Sequence, residues 1–451
     1  MSLPALFEIR NRADSTMTDL VAASERDPSH RTIVDIDKTA KVLNGAGGLV
    51  RSPQRIFPLV RKLVSDAIRI RFEQPHLYSY TKTRYTSEAV LHLLLRWILD
   101  AQRLDGGIAA YYSLLTGYSA SYPEVTGYIV PILYDFAQYR GLNLSPDGKI
   151  TAAAERATDW LLSLQMLGGA FPAGLHSRVA QPSVFNTGQI LQGLIRAYNE
   201  TARPEILCAA KRAGDWLIEM QQPNGCWSGT GAYQGTAHTY YSMVAWPLAL
   251  LSTETAEPRY GHAAEKNLDW VLSHFRPNGW IDGINLHGHP NYLHFIAYVL
   301  QGAIECAMQR QRNDAIETVA NSAWILLRRF EIDKFLCGAY EGDFTKGRRF
   351  TCVTGNAQVS CLWLRLFEIT GDLRYLNAAL KMNEMLKELI PARGKQGIAG
   401  AVSGSYPIWS CYQPLRYISW GCKFLADALL LEQRIKRCFD SSVIEVLPCA
   451  S

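Results

Sequence analysis

ERATDWLLSLQ at 155–165, KRAGDWLIEMQ at 211–221 and EKNLDWVLSHF at 265–275 are three settings of one phrase, and NSAWILLRRF at 321–330 is a fourth. Their tryptophans, Trp160, Trp216, Trp270 and Trp324, stand 56, 54 and 54 residues apart. A fixed period of this size marks stacked supersecondary units, none of which can bury its apolar face alone. Inside each phrase the apolar residues recur at i, i+3, i+4 and i+7, so each is an amphipathic helix of an outer layer.

A second series interleaves with the first. It comprises YPEVTGYIVPILYDFA from Tyr122, VFNTGQILQGLIRAY from Val184, AHTYYSMVAWPLALL from Ala237, YLHFIAYVLQGAIECA from Tyr292, TGNAQVSCLWLRLFEIT from Thr354 and LRYISWGCKFLADALLLE from Leu415. These stretches are apolar nearly all round, as helices buried on every side should be. Pairing the two series predicts outer helices near 86–103, 151–166, 204–222, 260–275, 313–330 and 373–389, each followed by an inner partner. The joints QMLGGAFPAG, QQPNGCWSG and RPNGWIDG carry the Gly, Asn and Pro of turns and helix ends. The expected fold is therefore all-α: an (α/α)6 toroid of six outer/inner helical hairpins with an N-terminal extension. Ring closure explains why no polar capping repeat is visible. The expected division is an N-terminal extension at 1–85, partly helical and basic, a toroid at 86–433 and a loose C-terminal tail at 434–451.

Bulk properties limit the function. A chain of 451 residues with 48% hydrophobic, 19% charged and 11% aromatic residues is a packed globule. A net charge of +5 is too mild for a nucleic-acid partner. The first residues, MSLPALFEIRNRADS, contain no apolar signal core, and no stretch reaches the roughly 18 apolar residues of a spanning helix. The expectation is a cytoplasmic protein. Six basic residues between Arg51 and Arg71 against the single acid Asp66 suggest a solvated helix on the ring, with peripheral contact to an anionic membrane surface as the sharper reading. Ten cysteines lack CxxC pairs or zinc-site spacing and read as reduced apolar residues.

In a ring of hairpins all inner helices start at one rim, so the polar groups opening them, Glu124, Asn186, His238, His294, Asn356 and Arg416, should converge. Aromatic faces and planar hydrogen-bonding side chains bind sugars, and the expected rim offers Tyr240, Tyr241, Trp280 and Tyr292 from the middle repeats. The last repeat adds Tyr406, Trp409, Tyr417 and Trp420. Asn186, Gln189, Asn356, Gln358 and Arg416 are the candidates for holding substrate, including a uronate carboxylate. His238, His294, Tyr241 and Tyr298 are the candidates for proton exchange. For a hydrolase Glu124 is the best acid, with Asp282 and Asp343 as possible partners; Glu124 could equally serve the helix N-terminus. Asp282, His287 and His289 form a weak metal candidate, and no cofactor is expected. The Asp-rich motifs of terpene cyclases are missing.

The segments VFNTGQILQGLIRAY, TGNAQVSCLWLRLFEITGD and GSYPIWSCYQPLRYISWGCKFLADALLLE resemble a group of bacterial exopolysaccharide and O-antigen biosynthesis proteins often labelled "prenyltransferase/squalene oxidase repeat". The resemblance spans roughly 85–433, and GSYPIW…RYISWGCKFLADAL is its most specific part. That group is distantly similar to the toroid part of glucuronyl C5-epimerases, and to uronyl hydrolases, polysaccharide lyases and sugar 2-epimerases. It implies a carbohydrate-active enzyme of surface-polysaccharide assembly, acting on a glycan or lipid-linked intermediate at a uronic-acid unit by epimerase- or lyase-type proton abstraction. A glycoside hydrolase, a polysaccharide-binding module and a prenyl-type enzyme are the alternatives, with a polysaccharide or oligosaccharide as the partner.

Overall fold

The computed structural model describes residues 62–63, 85–139, 148–174, 181–284, 286 and 289–444, with side chains to 439. Most of the basic segment between Arg51 and Arg71 lies outside the described residues, as do His287 and Cys449.

Twelve α-helices alternate between two layers among the described residues. The outer helices are α1 (Ser87–Ala101), α3 (Lys149–Leu164), α5 (Pro204–Met220), α7 (Pro258–Leu272), α9 (Asn313–Asp333) and α11 (Leu373–Glu388). The inner ones are α2 (Pro123–Gln138), α4 (Val184–Thr201), α6 (Ser242–Thr255), α8 (Leu293–Arg310), α10 (Val353–Thr370) and α12 (Ser419–Ile444). Each inner helix packs on the next, and α12 returns to α2, so the inner ring is closed. The fold is the expected (α/α)6 toroid. The closing helix runs to Ile444 instead of stopping near 433, and Ile435 is buried within it, so the boundary placed at 434 is corrected. The 3.6-residue pattern persists there but dilutes among the charges of RIKRCFD, which read as an end.

Outer helices bury one face: in α5 it is Ile206, Ala209, Ala210, Ala213, Trp216 and Leu217. Inner helices are buried all round, as in α8 from Leu293 to Ala307. Their close approach rests on glycine: a Cβ on Gly193 of α4 would meet the Gly127 carbonyl oxygen of α2, and one on Gly302 of α8 would meet the backbone of Ser242 and Met243. Four inner helices, α4, α6, α8 and α10, hand over to the next outer helix in two residues, through a left-handed Ala202, Ala256, Gln311 or Gly371 respectively.

One side chain ties the repeats together. At the end of α1, Gln102 Nε2 donates to Gly106 O at 2.9 Å in its own turn and to Ala153 O at 2.9 Å in the next outer helix. Gln165 repeats this with Gly169 O (3.1 Å) and Ala209 O (2.8 Å), and Gln221 with Gly225 O (3.0 Å) and Ala263 O (2.9 Å). The amide oxygens of Gln102 and Gln165 accept from Arg156 and Arg212, the arginines of the ERATDW and KRAGDW phrases. The fourth repeat has Phe275 in place of the glutamine.

Ring closure has its own network. Buried Glu432 of α12 accepts from Ser87 of α1 (3.2 Å) and Asn383 of α11 (2.7 Å), while Ser419 donates to Ala109 O. Strand β1 (Tyr111–Ser113) pairs with β2 (Gly117–Tyr118) and with β8 (Arg416–Ile418), joining the first and last repeats. The other strands are short: β3 (Asn291–Tyr292), β4 (Ala339–Tyr340), β5 (Gly347–Arg348), β6 (Thr351–Cys352) and β7 (Ser405–Tyr406).

Candidate active site

Inner helices that start at one rim leave a cavity there of about 630 Å³. The first two turns of α2, α4, α8 and α12 supply Glu124, Phe185, Asn186, His294, Tyr298 and Trp420. The loop before α6 adds Tyr233, Gln234 and Tyr240, and the loop before α12 adds Tyr412 and Gln413. Gln234 holds the left-handed conformation at φ +53°, and the backbone N–H of Tyr233 donates to Tyr241 Oη at 2.7 Å, so this roof loop is fixed from below. The wall is aromatic: Phe185 meets Tyr240 edge-on with centroids 5.2 Å apart, and His294 lies 4.2 Å from the Tyr298 ring.

Among the described lining residues Glu124 is the sole carboxylate and His294 the sole imidazole; no lysine or arginine is present. Glu124 Oε2 accepts from Tyr122 Oη at 2.8 Å. Burial raises its carboxyl to about 7, against the opposing pull of that hydrogen bond. The phenols of Tyr122, Tyr240, Tyr298 and Tyr412 are pushed well above 10, first by burial. They are neutral donors at any physiological pH.

His294 is driven down to about 4 by burial, partly offset by Gln358, and is therefore a neutral imidazole. Its Nδ1 lies 2.6 Å from Gln358 Oε1, and Gln358 Nε2 donates to Gln301 Oε1 at 3.2 Å. With the amides so oriented, Nδ1 carries the proton and Nε2 the lone pair. This makes His294 an acceptor for a hydroxyl and a poor acid.

Of the residues expected at the rim, Glu124, Asn186, Tyr240, His294, Tyr298 and Trp420 line the cavity. Others stand one layer behind. His238 is 2% exposed, stacks on Tyr240 with centroids 5.0 Å apart and places Nε2 3.0 Å from Thr236 Oγ1. Tyr241 packs edge-on against Trp227. Arg416 lies over the Tyr111 ring at 4.2 Å and donates to Gln413 Oε1 at 2.9 Å, so it backs a lining residue. Gln189 donates to Met243 O (2.9 Å) and Asn356 to Cys352 O (2.8 Å), both within the helix layer. Tyr292 donates to Cys411 O at 3.2 Å.

The rest point elsewhere. Tyr417 is buried in β8 opposite Tyr112, and Tyr406 in β7 opposite Thr351. Trp280 packs on Phe344 in the next hairpin joint, and Trp409 is half-buried away from the cavity. The proposed hydrolase partners are also remote: Asp282 pairs with Arg276 at 2.8 Å, and exposed Asp343 caps Thr345. Among the described residues no group of three or more His, Cys, Asp or Glu is gathered as metal ligands. The described cysteines are free thiols; five are buried, while Cys208, Cys411 and Cys438 are exposed. Among the described residues no helix is long and apolar enough to cross a membrane.

Residues the pattern did not single out are Tyr122, Phe185, Tyr233, Phe295, Tyr412 and Gln413. Phe185 and Phe295 adjoin chosen positions, and Tyr412-Gln413 sits inside GSYPIWSCYQPLRYISW, where the emphasis fell on tryptophans.

No family model matches the sequence, and no curated protein matches it. Solved structures do share the fold. An unsaturated glucuronyl hydrolase specific for heparin superposes with a TM-score of 0.62 at 16% identity, covering 78% of this chain and 96% of the other. The unsaturated glucuronyl hydrolase of Bacillus sp. GL1 gives 0.60 at 15%, covering 78% and 97%. Cellobiose 2-epimerase from Spirochaeta thermophila gives 0.60 at 15%, covering 78% and 97%. At such identities the likeness concerns architecture; chemistry has to be read from the cavity.

Proposed function

We propose that the cavity is the active site of a carbohydrate-active enzyme that moves a proton at a sugar carbon next to a carbonyl, with Glu124 as the acid–base group. The observation that carries this is the lining itself: one carboxylate with a pKa near 7, set in neutral aromatic donors, in a space of about 630 Å³ that suits a sugar unit or two. A base poised near neutrality has the matched driving force that proton abstraction requires. Neutral phenols can donate to the oxygen on which charge develops. His294 Nε2 accepts a substrate hydroxyl, and Trp420 and Phe185 supply apolar faces.

Abstraction at C5 of a uronate would need its carboxylate neutralised, yet no cation lines the described cavity and Arg416 stands behind Gln413. A neutral reducing-end sugar, losing its C2 proton, fits this lining better. A two-carboxylate hydrolase finds only Glu124, although a carboxyl half-protonated at neutral pH also suits a general acid, which keeps hydrolysis as the second reading. The setting, bacterial surface-polysaccharide assembly, rests on the sequence resemblance.

The test is incubation with neutral and uronate oligosaccharides in deuterated water. Deuterium at C2 of the neutral sugar, lost in Glu124→Gln, is the expected result. Deuterium at uronate C5 or an unsaturated product restores the uronate reading, and new reducing ends indicate hydrolysis. Binding without any product reduces the protein to a glycan-binding module.

A further inference from the structure

A second cavity, of about 810 Å³, lies further along the inner helices, and all six of them line it. The charges of its wall are already held within the protein: Lys423 pairs with Asp427 at 2.6 Å, Arg365 with Glu305 at 2.8 Å and Arg196 with Asp135 at 2.7 Å. Arg434 pairs with Glu368 at 2.7 Å, and Arg437 lies over the Tyr139 ring at 4.3 Å. A charged ligand would have to compete with one of these pairs. The pairs engage Oδ2 of Asp427 and Oε1 of Glu305, which leaves the other oxygen of each carboxylate for a hydroxyl.

Two further features of the wall point to a ligand and to its class. Gln192 of α4 lines the cavity, is 8% exposed, and has its Oε1 buried without a donor. A buried amide oxygen left unsatisfied is unfavourable, so a ligand hydroxyl that donates to it is held. Trp246 of α6 lines the cavity half-buried, although its neighbours Ala245 and Pro247 are buried, so an inner helix leaves an indole ring partly uncovered here. An apolar ligand would cover the indole but strip water from the amide and carboxylate oxygens with nothing in exchange. A neutral ring bearing several hydroxyls satisfies those acceptors and lays its C–H face on the indole. The space is of the size that takes a small molecule. Gln358, wholly buried and hydrogen-bonded to both Gln301 of this cavity and His294 of the first, lies between the two, so each has its own occupant.

We propose that this second cavity is a binding site for a neutral sugar, separate from the candidate active site, in which Gln192, Glu305 and Asp427 receive ligand hydroxyls and Trp246 supports the ring face. It does not depend on the reaction assigned to the first cavity. Gln192→Leu keeps the bulk and removes the unpaired amide, so it should hold or raise the melting temperature of the free protein while weakening the sugar.

The full chain carrying 5-fluorotryptophan is titrated with glucose, galactose, cellobiose and glucose 1-phosphate and followed by 19F NMR, with the Trp246 and Trp420 signals assigned by their loss in Trp246→Leu and Trp420→Phe. At least one neutral sugar should move the Trp246 signal saturably, and glucose 1-phosphate should bind there no tighter than glucose. Gln192→Leu should weaken the affinity read at Trp246 about tenfold and leave that read at Trp420 unaltered. Calorimetry on Trp246→Leu, a half-buried change, should count one sugar site fewer than wild type. A Trp246 signal unmoved by all three neutral sugars, binding insensitive to Gln192→Leu, an unchanged site count in Trp246→Leu, or tighter binding of glucose 1-phosphate would overturn the proposal. A marked fall in the melting temperature of Gln192→Leu would overturn the role given to that amide. Movement at Trp246 with none at Trp420 supports this site and counts against the first cavity as a sugar site, which separates the two readings.

Discussion

Glu124→Gln reports on the site through stability as well as catalysis. The substitution keeps the shape and an oxygen for the Tyr122 hydroxyl, and removes only the charge. In the folded protein the carboxyl sits at about 7 instead of its ordinary 4.5, because burial opposes ionisation. A raised acid makes the folded state hold its proton longer than the unfolded chain does. Below about pH 4.5 both states are protonated and nothing is lost; between about 4.5 and 7 stability drains away, and above 7 the whole cost stands. At about 1.4 kcal/mol per pH unit the total is about 3 kcal/mol, of which 2 to 3 falls between pH 5 and 8. The glutamine variant has no such loss. Urea and thermal unfolding of both proteins from pH 5 to 8 should therefore show the variant overtaking wild type as pH rises, while its activity is lost throughout. Wild-type kcat should rise or fall through a single ionisation near 7, rising if Glu124 is the base. Parallel stability curves would refute the burial of a titrating Glu124 and, with it, the proton-transfer assignment.

Other changes probe the frame and the wall. Gly193→Ala and Gly302→Ala insert a methyl group into backbone–backbone contacts between inner helices and should each destabilise by about 1–3 kcal/mol in thermal melts. Gln221→Leu removes the donor shared by Gly225 and Ala263 and should cost about 1–3 kcal/mol, with faster amide exchange in α7 as the local readout. Trp420→Ala should weaken oligosaccharide binding by about 1 kcal/mol or more, roughly fivefold, without altering the pH profile. His238→Ala should lower both activity and melting temperature, because the ring supports Tyr240 from within the fold; a drop in activity alone would place His238 at the substrate.

The toroid was legible because its determinants are local and repeated: tryptophans at a fixed period, glycine turns, and inner stretches with no polar face. Even the glutamine tie has its donor in the phrases themselves, as LSLQ and IEMQ, though only the structure reveals its second acceptor in the neighbouring repeat. The site was legible to the level of the helix turn. Residues opening α2, α4, α8 and α12 line the cavity while Asn356 of α10 does not, and a shift of one position decides between cavity and core, as Tyr240 and Tyr241 demonstrate. Arg416 and Tyr417 failed for a different reason: β8 precedes α12, and a strand directs alternate side chains to opposite faces, so helix-start logic does not apply. The displacement of the His294 imidazole toward neutrality arises from burial by several helices at once, which no local pattern encodes.

The latch around Glu432 bears on biogenesis. Its acceptor oxygens come from the last helix, and its donors from the first and the eleventh, so the outlet of one seam waits on residues made more than three hundred positions apart. During synthesis the first five hairpins can stack as an open spiral with two raw flanks. Only when α12 clears the ribosome can the spiral shut and give Glu124 and Trp420, from opposite sides of that seam, a common chamber. A nascent chain stalled just short of α12 would thus be a folded but inert intermediate, whose uncovered flank is a natural target for chaperones.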